Sequence, residues 1–166
     1  MSKSKRSLEL REDIAFERRQ WRVQRAGWVA ITLILAAALT GLFGNGPLSR
    51  ATASNGDLRV DYQRFVHADA PAALAVSADN LSGEVARLAI DRSFLEAMDV
   101  QRIQPRPLRS QSAGDVVVYE FSLRDSHTLH VLIDANPQSP AVVSGSFALL
   151  APGGPVTVRV RQLIYP

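Results

Sequence analysis

The feature that most constrains this chain is a stretch of 18 residues without a charged side chain, residues 26–43. An α-helix rises 1.5 Å per residue, so such a stretch spans about 27 Å, close to the roughly 30 Å hydrocarbon core of a bilayer. A single segment that crosses lipid must be helical, because its backbone polar groups have to be bonded within the segment. Gly44, Gly46 and Pro47 follow and are expected to end the helix. The sequence therefore predicts one transmembrane helix over residues 26–46.

Basic residues are concentrated before this predicted span. Residues 1–25 contain 8 Lys or Arg against 4 Asp or Glu, a charge of +4, whereas the remaining residues contain 11 against 12, a charge of −1. The positive-inside rule then places the N-terminus in the cytoplasm and the C-terminal part of the chain outside the membrane. The nearly neutral body also argues against nucleic acid as a partner.

Aromatic and basic side chains flank the span where the headgroup region of a bilayer would lie. Amphipathic aromatic rings are favoured in that region, and arginines are favoured at the cytoplasmic end of a span. The predicted membrane anchor consists of Trp21, Arg22, Arg25, Trp28 and Phe43. The lipid bilayer is therefore the first partner that the sequence predicts.

A cleaved signal peptide is the alternative to a permanent anchor. Ala51-Thr52-Ala53 matches the small-residue pattern of a cleavage site. Against cleavage, the basic region is long and strongly patterned, and the apolar stretch exceeds the usual 7–15 residues of a signal peptide. We therefore expect an uncleaved signal anchor.

Residues 1–25 are predicted to form a helical cytoplasmic arm. Ser7 can cap a helix, with acidic side chains in the first turns and arginines in the later ones, an order that suits the helix dipole. The arm is either only a topogenic cluster of positive charge or a docking helix for a partner. The sequence leaves both interpretations open.

Two groups of residues near the N-terminus form a recognisable pattern. They are Arg11-Glu12-Asp13, Phe16, Arg18-Arg19, Trp21, Gln24-Arg25 and Gly27-Trp28, followed by Gly41-Leu42-Phe43-Gly44 and Gly46-Pro47-Leu48-Ser49. In this pattern the chain resembles a family of uncharacterised bacterial single-span inner-membrane proteins with an Arg-rich cytoplasmic arm. The resemblance implies a bacterial inner membrane. It implies no activity, because the family has none assigned, and no functional residue is carried over.

After a polar linker over residues 47–57, residues 58–166 are predicted to form one β-domain. Apolar and polar residues alternate in short runs that are separated by Gly, Pro, Asn, Asp and Ser. Strands are predicted over residues 58–62, 73–78, 84–90, 115–124, 128–134, 141–150 and 156–164, with a short helix over 93–98. Asp91 would suit the cap of that helix.

This pattern predicts a mainly β fold, in which a transmembrane helix precedes an antiparallel β-sandwich outside the cytoplasm. Each strand would bury one face, as a sandwich requires. The last four strands are expected to form a meander. A partly open β-barrel is the alternative.

The sequence contains no constellation that predicts catalysis, a cofactor or a metal. Without cysteine, the chain has no disulfides, no Cys-ligated zinc and no iron–sulfur cluster. His127 and His130 are three residues apart in a predicted strand, so their side chains point to opposite faces. We therefore expect no enzyme, with catalytic, cofactor and metal residues all absent.

Three arginines, Arg102, Arg106 and Arg109, alternate with prolines in an extended segment. They are candidates for contact with an anionic ligand or an acidic partner. The alternative is a solvated loop whose charge is balanced by Asp91, Glu96 and Asp99.

Two functions follow from these observations. The first is an interaction or accessory subunit of a membrane or envelope assembly, which would contact other membrane or envelope proteins. The alternative is an anchored binding module for a small ligand, a lipid or a glycan, which would require a pocket with convergent polar groups.

Overall fold

A computed structural model describes residues 14–39, 49–123 and 126–166, with the backbone alone for residues 14–20 and 37. These residues belong to two units, residues 1–39 and 40–166. The anchor residue Phe43, the start of the arm and the start of the linker lie outside the described residues, as do several residues of the N-terminal pattern.

The first unit contains one long helix, α1 (Ile14–Leu39). It continues without a break from the predicted arm into the predicted span. The large apolar side chains described on it, from Trp21 onward, are exposed, and Leu39 is 88% exposed. Among the described residues, no helix combines the length and the apolar character that a membrane span requires.

The second unit is a β-domain, in which the described residues form eleven strands and one short helix. In chain order these are β1 (Arg50–Asn55), β2 (Leu58–Gln63), β3 (Phe65–His67), β4 (Ala72–Ala78), β5 (Val85–Asp91), α2 (Arg92–Ala97), β6 (Val100–Gln104), β7 (Arg109–Ala113), β8 (Val116–Ser122), β9 (Leu129–Ala135), β10 (Ala141–Ala151) and β11 (Gly154–Tyr165). The seven predicted strands and the predicted helix are all present near their expected positions.

The strands form two sheets around one hydrophobic core. The first sheet has the order β1-β2-β4-β9-β6, and the second has the order β3-β11-β10-β5-β8-β7. Neighbouring strands are antiparallel except for β3 and β11, which are parallel. Strands such as β4 and β9 bury every second residue, and the inward side chains of both sheets belong to one cluster. This arrangement is compatible with the predicted β-sandwich.

The expected meander of the last four strands is wrong. β8 lies in the second sheet and β9 lies in the first. The reason is that β8 is already paired on both sides, with β5 and with β7. The chain therefore crosses to the other sheet, where β9 pairs with β4 and β6.

The predicted linker also differs from the structure, because Arg50–Asn55 form strand β1. This strand pairs with β2 over its whole length and buries Ala51. Gly56-Asp57 forms the two-residue hairpin turn between Asn55 and Leu58, and Gly56 has a φ of +52°. Glycine at the first central position of such a turn is a hairpin signal because that position requires positive φ. The small polar residues around it resemble a linker in composition but form an edge strand.

Helix α2 fills one end of the space between the sheets. Phe94 is fully buried and packs edge-to-face on Phe147, with ring centroids 5.3 Å apart. Asp91 occupies the N-cap position, but its side chain makes no capping hydrogen bond. Instead, Asp91 Oδ2 accepts a hydrogen bond of 2.8 Å from the backbone N–H of Ser146. The aspartate therefore ties β5 and the start of α2 to β10.

Candidate interaction site

The two sides of the β-domain differ in how the sheets meet. On one side, β1 and β2 are hydrogen-bonded to β11 of the opposite sheet. Asn55 Nδ2 donates to the Thr157 carbonyl at 3.0 Å, and Gln162 Nε2 donates to the Gln63 carbonyl at 2.8 Å. On the other side lie the edge strands β6 and β7, with a cleft between the sheets.

The cleft has a volume of about 520 Å³ and is lined by both polar and apolar side chains. β6 lines it from the first sheet, β7 and β8 line it from the second, and α2 contributes residues at one end. Its apolar lining residues, all half-buried, are Leu95, Val100, Ile103, Val117 and Tyr119. The core side chains are therefore incompletely covered along this side of the domain.

Polar groups converge on the same cleft. Arg92 Nη2 donates to the Gly114 carbonyl at 3.0 Å, while Arg92 Nε is buried without a hydrogen-bond partner in the described part of the chain. Burial raises the pKa of the Tyr119 phenol above its ordinary value of 10.0. Glu96 and Asp99 stand at the rim. The cleft thus offers apolar surface beside a buried donor that lacks a partner.

Strand β7 forms the edge of the second sheet next to the cleft. All five of its residues are exposed, and among the described residues it pairs with β8 alone. Ser110 is opposite Tyr119 and Ser112 is opposite Val117, so both serines share the inward face of β8. Because serine is small, the edge leaves the apolar side chains of β8 accessible.

The three predicted contact arginines lie along this side of the domain. Arg102 is on β6 and lines the cleft, Arg106 is in the connection to the second sheet, and Arg109 begins β7. All three are exposed, and none of their side chains makes an ion pair or a hydrogen bond with a described residue. Residues 100–114 contain no acidic side chain.

Two of the three acids proposed to balance these arginines, Asp91 and Asp99, have other partners. Asp91 accepts its hydrogen bond from Ser146, and Asp99 Oδ2 accepts one of 3.0 Å from Gln138 Nε2. The ion pairs formed among the described residues join Arg59 to Asp61 and Arg87 to Glu120. The three arginines of the open side take part in neither of these ion pairs, although Asp134 is the cross-strand neighbour of Arg102 and Glu120 is that of Arg109.

The described anchor residues lie together on one face of α1. Trp21, Arg25 and Trp28 follow each other at spacings of four and three, which bring side chains to the same side of a helix. The Arg25 guanidinium lies 5.2 Å from the centre of the Trp21 ring. Arg22 is also on α1, one residue beyond Trp21. This face combines aromatic surface with positive charge.

Sequence reasoning missed the cleft residues Arg92 and Tyr119, and also a polar cluster on the outer face of the first sheet. There Arg59 Nε donates to Asp61 Oδ2 at 3.0 Å, and Thr52 donates to the same carboxylate. The signal for this pair was present, because Arg59 and Asp61 are two apart in a predicted strand and therefore share a face. No such local signal exists for the cleft, whose walls come from distant strands.

Comparison with known proteins adds no relative to these observations. No family model matches the chain, and no curated protein is significantly similar to it. The function is therefore argued from the sequence and from the geometry of the open side.

Proposed function

We propose that this chain is a single-pass membrane-anchored protein of the bacterial inner membrane, with its N-terminus in the cytoplasm and its β-sandwich outside. In this proposal the β-domain has no catalysis of its own and serves as an interaction or accessory subunit of a membrane or envelope assembly. The observation that carries the proposal is the exposure of the apolar side chains of α1.

These side chains point in all directions around the helix axis. Successive helical residues are rotated by about 100°, and exposures lie between 51% and 64% for Val29, Ile31, Leu33, Ile34 and Leu35. A helix that is apolar all round is stable when buried, in a membrane or inside a protein. Residues 26–43 contain no charge, although the last of them lie beyond the described end of α1. We infer that lipid covers this helix.

The proposed orientation rests on the distribution of charge. The eight basic residues within residues 1–25 precede the uncharged stretch 26–43, and the first residues after residue 43 carry little charge. Cytoplasmic flanks retain Lys and Arg preferentially. The resemblance of the N-terminal pattern to bacterial single-span inner-membrane proteins supports the same location.

The proposed interaction role rests on the open side of the β-domain. A free sheet edge, half-buried apolar residues and three exposed arginines that form no ion pair with a described residue lie there together. Exposed edges favour pairing with another chain, and interface cores favour apolar residues and arginine. The histidines and carboxylates of the domain offer no comparable cluster in the described residues.

A reporter at each end, together with one substitution in α1, tests the anchor. We expect a periplasm-active reporter to work at the C-terminus only, and carbonate washing to leave the protein in the membrane. Ile34→Arg places a charge near the middle of the span, at a cost of about 2.5–3.5 kcal/mol for insertion, and should release part of the protein. Ile34→Leu is the matched control. An active N-terminal reporter, or a free β-domain, would refute the anchor.

Affinity capture in mild detergent after crosslinking in cells tests the interaction role. We expect defined membrane or envelope proteins to be recovered with the chain. Recovery of a monomer alone under several crosslinking chemistries would count against this role.

The cleft favours one second candidate, a binding module for a small ligand, lipid or glycan. Its volume and the buried, unpartnered Arg92 Nε suit a ligand with an apolar body and an acceptor group. Thermal stabilisation by a defined ligand, lost when Val117→Trp fills the cleft, would support this candidate over a protein partner.

A further inference from the structure

We propose that β7 is the acceptor edge for a strand from a partner protein. The inserted segment would be an extended peptide in which acidic residues alternate with apolar ones. This inference rests on the proposed interaction role and specifies the chemistry of the partner. Three independent features of the open side support it, namely the free main chain of β7, the uncovered apolar surface and the unpaired arginines.

The free main chain determines the conformation of the partner. β7 is paired with β8 on one side, and its other side has no neighbouring strand among the described residues. A strand edge presents N–H and C=O groups at regular spacing, and only another extended backbone matches all of them. Within its five residues, β7 contains neither proline nor lysine, residues that commonly protect edges from pairing. An added strand would therefore continue the second sheet.

The cleft determines what the partner carries on one face. An added strand would place every second side chain on the inward side, next to Ser110 and Ser112. Because these serines are short, such side chains would reach the half-buried surface of Val117, Tyr119 and Ile103. Leu, Val or Phe at alternate positions would cover that surface. Burial of apolar area contributes about 25 cal/mol per Å² before the costs of association.

The arginines determine what the partner carries on its other face. Arg109 is opposite Glu120 and therefore lies on the outward face of the second sheet, while Arg102 is on β6 opposite Asp134 and Arg106 is in the connection from β6 to β7. Glu120 accepts a hydrogen bond of 2.9 Å from Arg87, and Arg109 has no ion pair with a described residue. Acidic residues at the outward positions of an added strand would meet Arg109 and Arg106. Complementary charge accelerates encounter and disfavours wrong partners.

The same charges argue against a second copy of this chain as the occupant. Pairing of two β7 strands would bring six arginines together, because each copy contributes Arg102, Arg106 and Arg109. Residues 100–114 supply no acid to offset them and no run of alternating apolar residues to fill the cleft. A different chain of acidic and apolar pattern fits better.

Defined peptides and the full chain in detergent micelles provide the test. The probe is a nine-residue peptide in which Asp alternates with Val or Leu, and the controls replace Asp by Lys or scramble the order. We expect the acidic peptide to slow hydrogen exchange of the residue 109–113 amides about tenfold or more, without such slowing by either control peptide. Double charge reversal, Arg106→Glu with Arg109→Glu, should weaken binding about tenfold or more. Arg159→Glu, an exposed arginine on β11 of the same sheet, is the matched control.

Crosslinking distinguishes strand pairing from charge attraction alone. Because the chain has no cysteine, Gln111→Cys introduces a single thiol on β7. Peptides with one cysteine at successive positions should crosslink with a period of two residues, and Thr157→Cys on β11 should not crosslink. Absence of peptide binding, binding without slowed exchange in β7, or crosslinking without alternation would overturn the proposal.

Two further results separate this proposal from other readings. Binding of vesicles that contain phosphatidylglycerol, lost in the double charge reversal while the peptide fails to bind, would identify a lipid surface as the partner and refute strand addition. If capture from cells recovers partners that remain bound to the double charge reversal, the interaction role stands and β7 is excluded. If capture recovers no partner at all, the interaction role itself fails.

Discussion

Phe94 of α2 packs directly on the backbone of Gly145 in β10, so closely that a Cβ atom at position 145 would overlap its ring. The ring of Phe94 also packs edge-to-face on Phe147. The helix that closes one end of the core therefore depends on the absence of a side chain on the opposing strand.

Gly145→Ala should consequently destabilise the β-domain. Overpacking of a filled core costs about 1–3 kcal/mol, and unfolding by urea, followed by far-ultraviolet circular dichroism, measures it. Gly153→Ala is the matched control, because nothing lies within 4 Å of a Cβ at that position. Adding Phe94→Leu to Gly145→Ala should recover part of the loss. Equal stability of the two alanine variants would contradict the close packing.

Asp91 provides a second test of how α2 is attached. The pairing of β10 with β5 ends at Phe147. The next N–H on β10, that of Ser146, donates to the Asp91 carboxylate instead of to a main-chain carbonyl. Asp91→Ala should cost about 1–3 kcal/mol, because it leaves a partly buried N–H without a partner. Glu96→Ala, which alters α2 without breaking this bond, should cost less. A similar loss for the two variants would show that helix content, rather than the Asp91 bond, matters.

The pH dependence of Asp61 follows from its contacts. Hydrogen bonds from Arg59 and Thr52 hold the pKa of the Asp61 carboxyl below its ordinary value of 3.8. The stabilisation is therefore present above that value and is lost as the pH falls through the lower pKa of the folded state. Titration followed by carbon NMR should give a low midpoint, and Arg59→Gln should raise it. Arg159→Gln should leave it unchanged, and an unaltered midpoint in Arg59→Gln would contradict the assignment.

The titration of the Tyr119 phenol can be used to detect whether the cleft is occupied. Burial raises the pKa of its phenol, because the phenolate loses hydration there. Above pH 10 the unfolded chain releases this proton first, so the folded state loses stability as the pH rises. Absorbance at 295 nm should resolve a late titration step that Tyr119→Phe removes. A peptide that fills the cleft should shift this step to higher pH, whereas a peptide bound elsewhere should not.

The parts of the fold that could be predicted are those with strong local patterns. β9 and β11 alternate buried and exposed residues, and β8 and β10 contain β-branched and aromatic residues, so their existence follows from the sequence. Their distribution between two sheets does not follow, because a strand with two occupied edges forces the next one elsewhere. The local sequence of a strand does not indicate which strand edges of a sheet are already paired.

The edge strands were missed for a different reason. β1, β6 and β7 are short and mostly exposed, so burial imposes little alternation on them. The arginines of the candidate site could be selected from the sequence because they are dense and alternate with prolines in an extended segment. Arg92 and Tyr119 could not, because the cleft exists only where β6, β8 and α2 meet in space.

The pairing of β3 with β11 has a consequence for how the domain is made. Phe65 aligns with Leu163, and the Gln162 side chain holds the backbone of Gln63, 99 positions earlier in the chain. Contacts of such long range close late during folding, because the loop between them must be ordered first. During synthesis, β3 and the end of β2 therefore lack their contacts with β11 until the C-terminal strand has been made. In a nascent chain that stops before β11, the strand edges that β11 would cover remain exposed. Such a chain would be prone to aggregate, even if its first hairpins had formed.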